Sequence, residues 1–62
     1  MKKFVIAVYP EYFSRFDWQA GRTVPVLTNY SDALRFCYST AWFIVRNLKA
    51  AGYDAIVEAV HE

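Results

Sequence analysis

Apolar positions along the 62-residue chain gather into runs whose periods differ. Residues 3–9, KFVIAVY, combine β-branched and aromatic side chains with no Gly, Pro or capping residue, which predicts a strand. Phe4, Ile6 and Val8 share one of its faces, and Val5, Ala7 and Tyr9 share the other. Since both faces are apolar, the strand is expected to be central in its sheet or to have its second face covered. Pro10-Glu11 reads as a turn. Residues 12–18, YFSRFDW, fit either a returning strand or a short helical turn carrying Tyr12, Phe13 and Phe16, because their period is ambiguous. A second turn follows at residues 19–22. Residues 23–28 are a short extended piece in which Pro25 lacks a backbone donor, which assigns it to an edge.

Residues 29–51 parse in two ways. As one long helix, Asn29 is the N-cap with Asp32 as box partner, and Tyr30, Ala33, Leu34, Cys37, Ala41, Ile44, Val45, Leu48 and Ala51 line one face. The alternative is a helical turn at residues 30–34, an extended stretch at 35–37, and a shorter helix capped by Ser39 or Thr40. The poorly helical run Phe36-Cys37-Tyr38-Ser39-Thr40 supports this break. In both parses the helix stops where Gly52 supplies a left-handed residue, with Lys49 facing the negative end of the dipole. A closing strand follows at residues 54–60, with Ala55, Val57 and Ala59 toward the core and Ile56, Glu58 and Val60 behind. The order strand, strand, helix, strand predicts an α+β fold. One amphipathic helix packs on a three-stranded, mostly antiparallel sheet in a single domain over residues 1–62.

Composition narrows the picture. A chain this short buries only about 60% of its surface, so its 56% hydrophobic content and twelve aromatic residues are what offset the cost of ordering it. The single cysteine excludes an internal disulfide framework and a cysteine-based zinc site. Seven Lys/Arg stand against six Asp/Glu, interspersed, so no concentrated field points to nucleic acid or an anionic membrane. The longest uncharged stretch, residues 36–45, is far short of the roughly 20 residues a membrane span needs. Lys2 and Lys3 before FVIAVY imitate a signal peptide, but Pro10-Glu11 ends the apolar run below the usual minimum of about seven residues. A cytoplasmic location is expected, and a free thiol suits a reducing compartment.

Little catalytic chemistry can be assembled. His61 is the sole histidine, so Cys37 with His61 is the one nucleophile and imidazole pair, against the plainer expectation that Cys37 is a small buried hydrophobe. The carboxylates Glu11, Asp17, Asp32, Asp54 and Glu62 fall near turns or termini, and two distant glycines build no phosphate-cradling loop. No enzyme, cofactor or metal is expected.

The surplus is aromatic. Tyr12, Phe13, Phe16 and Trp18 cluster within seven residues, and Trp42 and Phe43 flank the core stripe of the helix on both sides. Two roles stand open for residues 12–18. They complete the core, or they belong to an apolar surface patch for a homodimer or a partner protein, with Arg15, Arg35 and Arg46 as its rim. The candidate partner-binding residues are Tyr12, Phe13, Arg15, Phe16, Trp18, Trp42, Phe43, Arg46, Ile56 and Val60. An alternative is a small nucleic-acid-binding domain, with Arg15 between Phe13 and Phe16, and Lys2, Lys3 and Arg22 nearby.

The segments SDALRF and AGYDAIVEAV, either side of a Ser/Thr-capped helix, resemble a loose class of very small bacteriophage and prophage accessory proteins of β-β-α-β form. The likeness covers about the last 35 residues and rests on Ala33, Phe36, Ser39, Ala41, Leu48, Gly52, Tyr53 and Val57. All are structural positions; the class shares no catalytic residue. Trp42-Phe43 departs from its pattern, in which polar helix residues are common. The resemblance implies a phage-encoded, non-catalytic protein that binds and inhibits or modulates a host factor, in the manner of anti-CRISPR proteins or inhibitors of RNA polymerase, within the host cytoplasm.

Overall fold

A computed structural model of the chain describes residues 3–60; Lys2, His61 and Glu62 lie outside them. Four strands form one antiparallel sheet: β1 (Phe4–Val8), β2 (Glu11–Gln19), β3 (Arg22–Thr28) and β4 (Ile56–Ala59), in the order β3-β2-β1-β4. The expected three-stranded sheet is therefore corrected to four. The extra member is the Pro25 segment, which is a full strand at the edge, where its missing donor disrupts no ladder on the outer side. A 3₁₀ turn (Tyr30–Asp32) and one helix, α1 (Tyr38–Ala50), separate β3 from β4.

β1 is interior, and its two apolar faces have different neighbours. Ile6 joins Phe13, Ala41, Ile44, Val45, Leu48 and Ala55 in the core under α1, with Phe4, Val8, Phe36, Tyr53 and Val57 packed around it. On the other face Val5 and Ala7 are also buried. There the register sets Val5 against Glu58, and Ala7 against both Ile56 and Tyr12, and cross-strand partners share a face. The Tyr9 hydroxyl donates to the Glu58 carboxylate from the far end of that face. The Tyr9 ring stacks edge-on against Tyr12, and Tyr12 against Tyr30. Larger side chains thus hem in two small ones without a second layer. The hydrogen bond to Glu58, with desolvation and the carboxylate charge, pushes the Tyr9 phenol up to about 12.

The β2–β3 hairpin turns at Ala20-Gly21, both at positive φ (50° and 78°), as a two-residue turn between twisted strands requires. Its ladder slips between Phe13 and Arg15, where Ser14 is an additional residue. This bulge resolves the ambiguous period of residues 12–18. Phe13 and Phe16, three apart, would face opposite ways in a regular strand; the inserted residue turns both to the α1 side, and their rings meet at 4.9 Å. It also ends the pairing of β2 with β1, which spans only Ala7↔Tyr12 and Val8↔Glu11. The vacated edge of β1 is taken by the connecting chain, as Phe4 and Phe36 exchange backbone hydrogen bonds of 2.9 and 2.8 Å.

That bridge holds residue 36 extended and selects the shorter-helix parse. Asn29 Oδ1 still accepts from the Asp32 amide at 2.9 Å, capping only the 3₁₀ turn. Tyr30 and Leu34, core-facing in the long-helix parse, are exposed. The N-cap of α1 is Cys37, not Ser39 or Thr40, since the chain turns into helix directly after the bridge. At the other end Gly52 (φ 96°) donates to the Lys49 carbonyl and Tyr53 to that of Leu48, both at 3.0 Å. This Schellman ending is the stop that Gly52 announces. Of the residues expected to face the core from the last strand, Ala55 is buried and Val57 half-buried, but Ala59 is exposed. It pairs with Phe4 at the end of the ladder, and Phe4 packs edge-on against Tyr38 (5.3 Å).

Candidate partner-binding surface

α1 packs on β1 and β4, so the distal half of the β2–β3 hairpin extends past it with its α1-side face open. Phe16 is 39% exposed and Trp18, two residues on along the same face, 69%. Opposite them stands one flank of the helix. Phe43, Asn47 and Ala51 from α1 and its end, with Phe16, Thr23 and Pro25 from the hairpin, form a groove of about 430 Å³ floored by Leu48. Phe43, 66% exposed, is its outer lip.

A second hollow of about 680 Å³ runs along the other flank, past Tyr38, Ser39, Trp42, Phe43, Arg46 and Lys49. Tyr38, Trp42 and Arg46 follow each other at intervals of four, which stacks them along one stripe of a helix. The Tyr38 and Trp42 rings are 6.1 Å apart, edge to face. Because 3.6 residues make a turn, the adjacent Trp42 and Phe43 diverge to the two flanks of the buried stripe Ala41, Ile44, Val45 and Leu48. That divergence was expected from the sequence.

The ten candidate residues thus separate. Phe16, Trp18, Trp42, Phe43 and Arg46 lie on the side that carries α1. Phe13 is withdrawn into the core at 2% exposure. Tyr12 and Ile56 sit on the opposite face beside Ala7, and Val60 is half-buried, its amide bonded to the Lys3 carbonyl. Arg15 pairs with Val26 and Phe16 with Pro25, successive positions that face opposite ways. The interleaved Phe13-Arg15-Phe16 arrangement that a nucleic-acid surface would need is therefore not assembled. Tyr38, Pro25 and Lys49 were missed as lining residues; Tyr38 shares a stripe with Trp42 and Arg46 that the undecided start of the helix hid, while Lys49, helical in both parses, was assigned only to the dipole end.

Cys37 is exposed, not the buried hydrophobe expected, and its proposed partner His61 lies outside the described residues. Its Sγ lies 3.1 Å from Thr40 Oγ1 and 3.7 Å from Ser39 Oγ. The Thr40 hydroxyl and amide, then the Ser39 hydroxyl, favour the thiolate and lower the thiol to about 7. Alkylation by iodoacetamide should therefore reach half its limiting rate near pH 7, and Thr40→Val should move that midpoint upward; a wild-type midpoint above 8.5 would contradict this. Among the described residues no three His, Cys, Asp or Glu converge as metal ligands, and no helix is long and apolar enough to cross a membrane.

Comparison with protein-family models, curated proteins and solved structures found no match.

Proposed function

We propose that this is a non-catalytic binding protein that works by covering its exposed aromatic surface with another protein. One observation carries the proposal: Phe16, Trp18, Trp42 and Phe43 all remain exposed on the side that bears α1, while only nine of the described residues form the buried interior. Exposed apolar patches of several hundred Å² are uncommon on monomers, and Trp, Tyr and Arg are the residue types that dominate binding energy. The groove between hairpin and helix offers concave walls from two elements, as an inserted side chain requires. The likeness to small phage accessory proteins would make the natural partner a host factor.

In pure solution with no partner, the same surface should drive self-association. Sedimentation at rising concentration should reveal a dimer, and Trp18→Ser or Trp42→Ser should weaken it while leaving the melting temperature within a few degrees of wild type. A chain that stays monomeric at every concentration, with both tryptophans shielded from an aqueous quencher, would overturn the proposal.

A further inference from the structure

The chain is close to neutral as a whole, with seven basic and six acidic residues, yet its charges are not evenly placed. No Asp or Glu occurs anywhere in residues 33–53, which contain Arg35, Arg46 and Lys49. Every carboxylate lies in the segments before or after, and Glu58 is engaged by the Tyr9 hydroxyl on the opposite face of the sheet. On α1, Arg46 and Lys49 are exposed beside Trp42 and Tyr38 in one hollow. Among the described residues neither cation makes an ion pair or a hydrogen bond. The stripe is thus aromatic and positively charged, with no acid of its own.

We propose that the occupant of this stripe is an acidic segment of a partner protein, its carboxylates meeting Arg46 and Lys49 while its apolar side chains cover Tyr38 and Trp42. Such an occupant presupposes the protein-binding role above and specifies its chemistry. A purely apolar segment would leave both cations unpaired at its edge and draw nothing from their charge, whereas carboxylates complement it. A basic segment would add repulsion. Nucleic acid is disfavoured by number: two cations on the stripe are few against the six to ten phosphate contacts of a typical duplex binder. α1, at about 1.5 Å per residue, is roughly 20 Å long, and a partner segment of about six extended residues would span it.

The experiment uses the isotopically labelled full chain and three probes: a short peptide alternating Glu with Leu and Phe, the same peptide with Lys for Glu, and oligothymidylate. The acidic peptide should bind, shifting the Trp42 indole and the amides around Arg46 and Lys49, and should compete with self-association. The double variant Arg46→Glu/Lys49→Glu, whose positions are exposed, should still melt cooperatively, with its midpoint lowered by several degrees because a carboxylate at residue 49 meets the negative end of the helix dipole. It should lose about tenfold in affinity for the acidic peptide and reverse the preference toward the Lys peptide. Equal binding of both peptides, with Trp42 still shifted, would overturn the acidic assignment and leave the protein-binding function standing. Stronger binding of oligothymidylate would overturn both. A dimer that dissociates in the charge-reversed variant would make the occupant a second copy of this chain and overturn the separate partner. No binding of any probe would also refute the acidic assignment, and sedimentation then judges the broader function by itself.

Discussion

Phe13→Ala should leave the chain unfolded or nearly so at 25 °C. Phe13 is the largest fully buried side chain, and its ring meets Phe16 at 4.9 Å and Phe36 at 6.0 Å. It therefore ties the hairpin to the segment that bridges β1. Truncating a buried phenylalanine costs about 3–5 kcal/mol through lost burial and the remaining cavity. A core of this size rarely supplies more than about 3–5 kcal/mol of net stability. The two quantities are equal, so the cooperative thermal transition should disappear from circular dichroism. A mutant that melts cooperatively within a few degrees of wild type would place Phe13 outside the core.

Leu48→Ala should cost slightly less, about 2–4 kcal/mol by the same mechanism, and lower the midpoint of urea unfolding accordingly. Leu48 is 1% exposed. It also floors the groove between α1 and the hairpin, and its carbonyl anchors the end of the helix through Tyr53. Leu48→Met, which conserves volume, should cost less than about 1.5 kcal/mol, separating packing from the backbone role that both variants retain. An alanine variant as stable as wild type would overturn the phase assigned to α1.

Much of this architecture is legible in the residues because local and tertiary signals agree. The two-sided apolar run of β1, the donor-less Pro25 at an edge and the Gly52 stop each have one physical cause acting within a few residues. The features that escaped have causes distant in sequence. Phe13 and Phe16 imitate a helical spacing, and nothing in YFSRFDW reveals that Ser14 is an extra residue; only the partner strand defines a bulge. Ser39 and Thr40 are good caps by type, yet the bridge of Phe36 to Phe4 moves the cap to Cys37. The surplus of aromatic residues was legible in the sequence, with their division between core and surface left open. The facing of Phe16 and Trp18 was not, because the face of every β2 residue beyond Phe13 depends on the bulge.

The pairing of β1 with β4 has a consequence for how the molecule comes into being. Val5 lies against Glu58 and Ile6 against Val57, so these contacts close a loop nearly as long as the chain, and such high contact order makes them slow to form. Ala55, just ahead of β4, belongs to the core cluster and is fully buried. During synthesis the interior therefore lacks a wall until the segment after Gly52 has emerged. The residues of the aromatic surface lie on β2, β3 and α1, all made earlier. A nascent chain carries its adhesive side chains before it has a closed core, and in that interval premature association competes with folding.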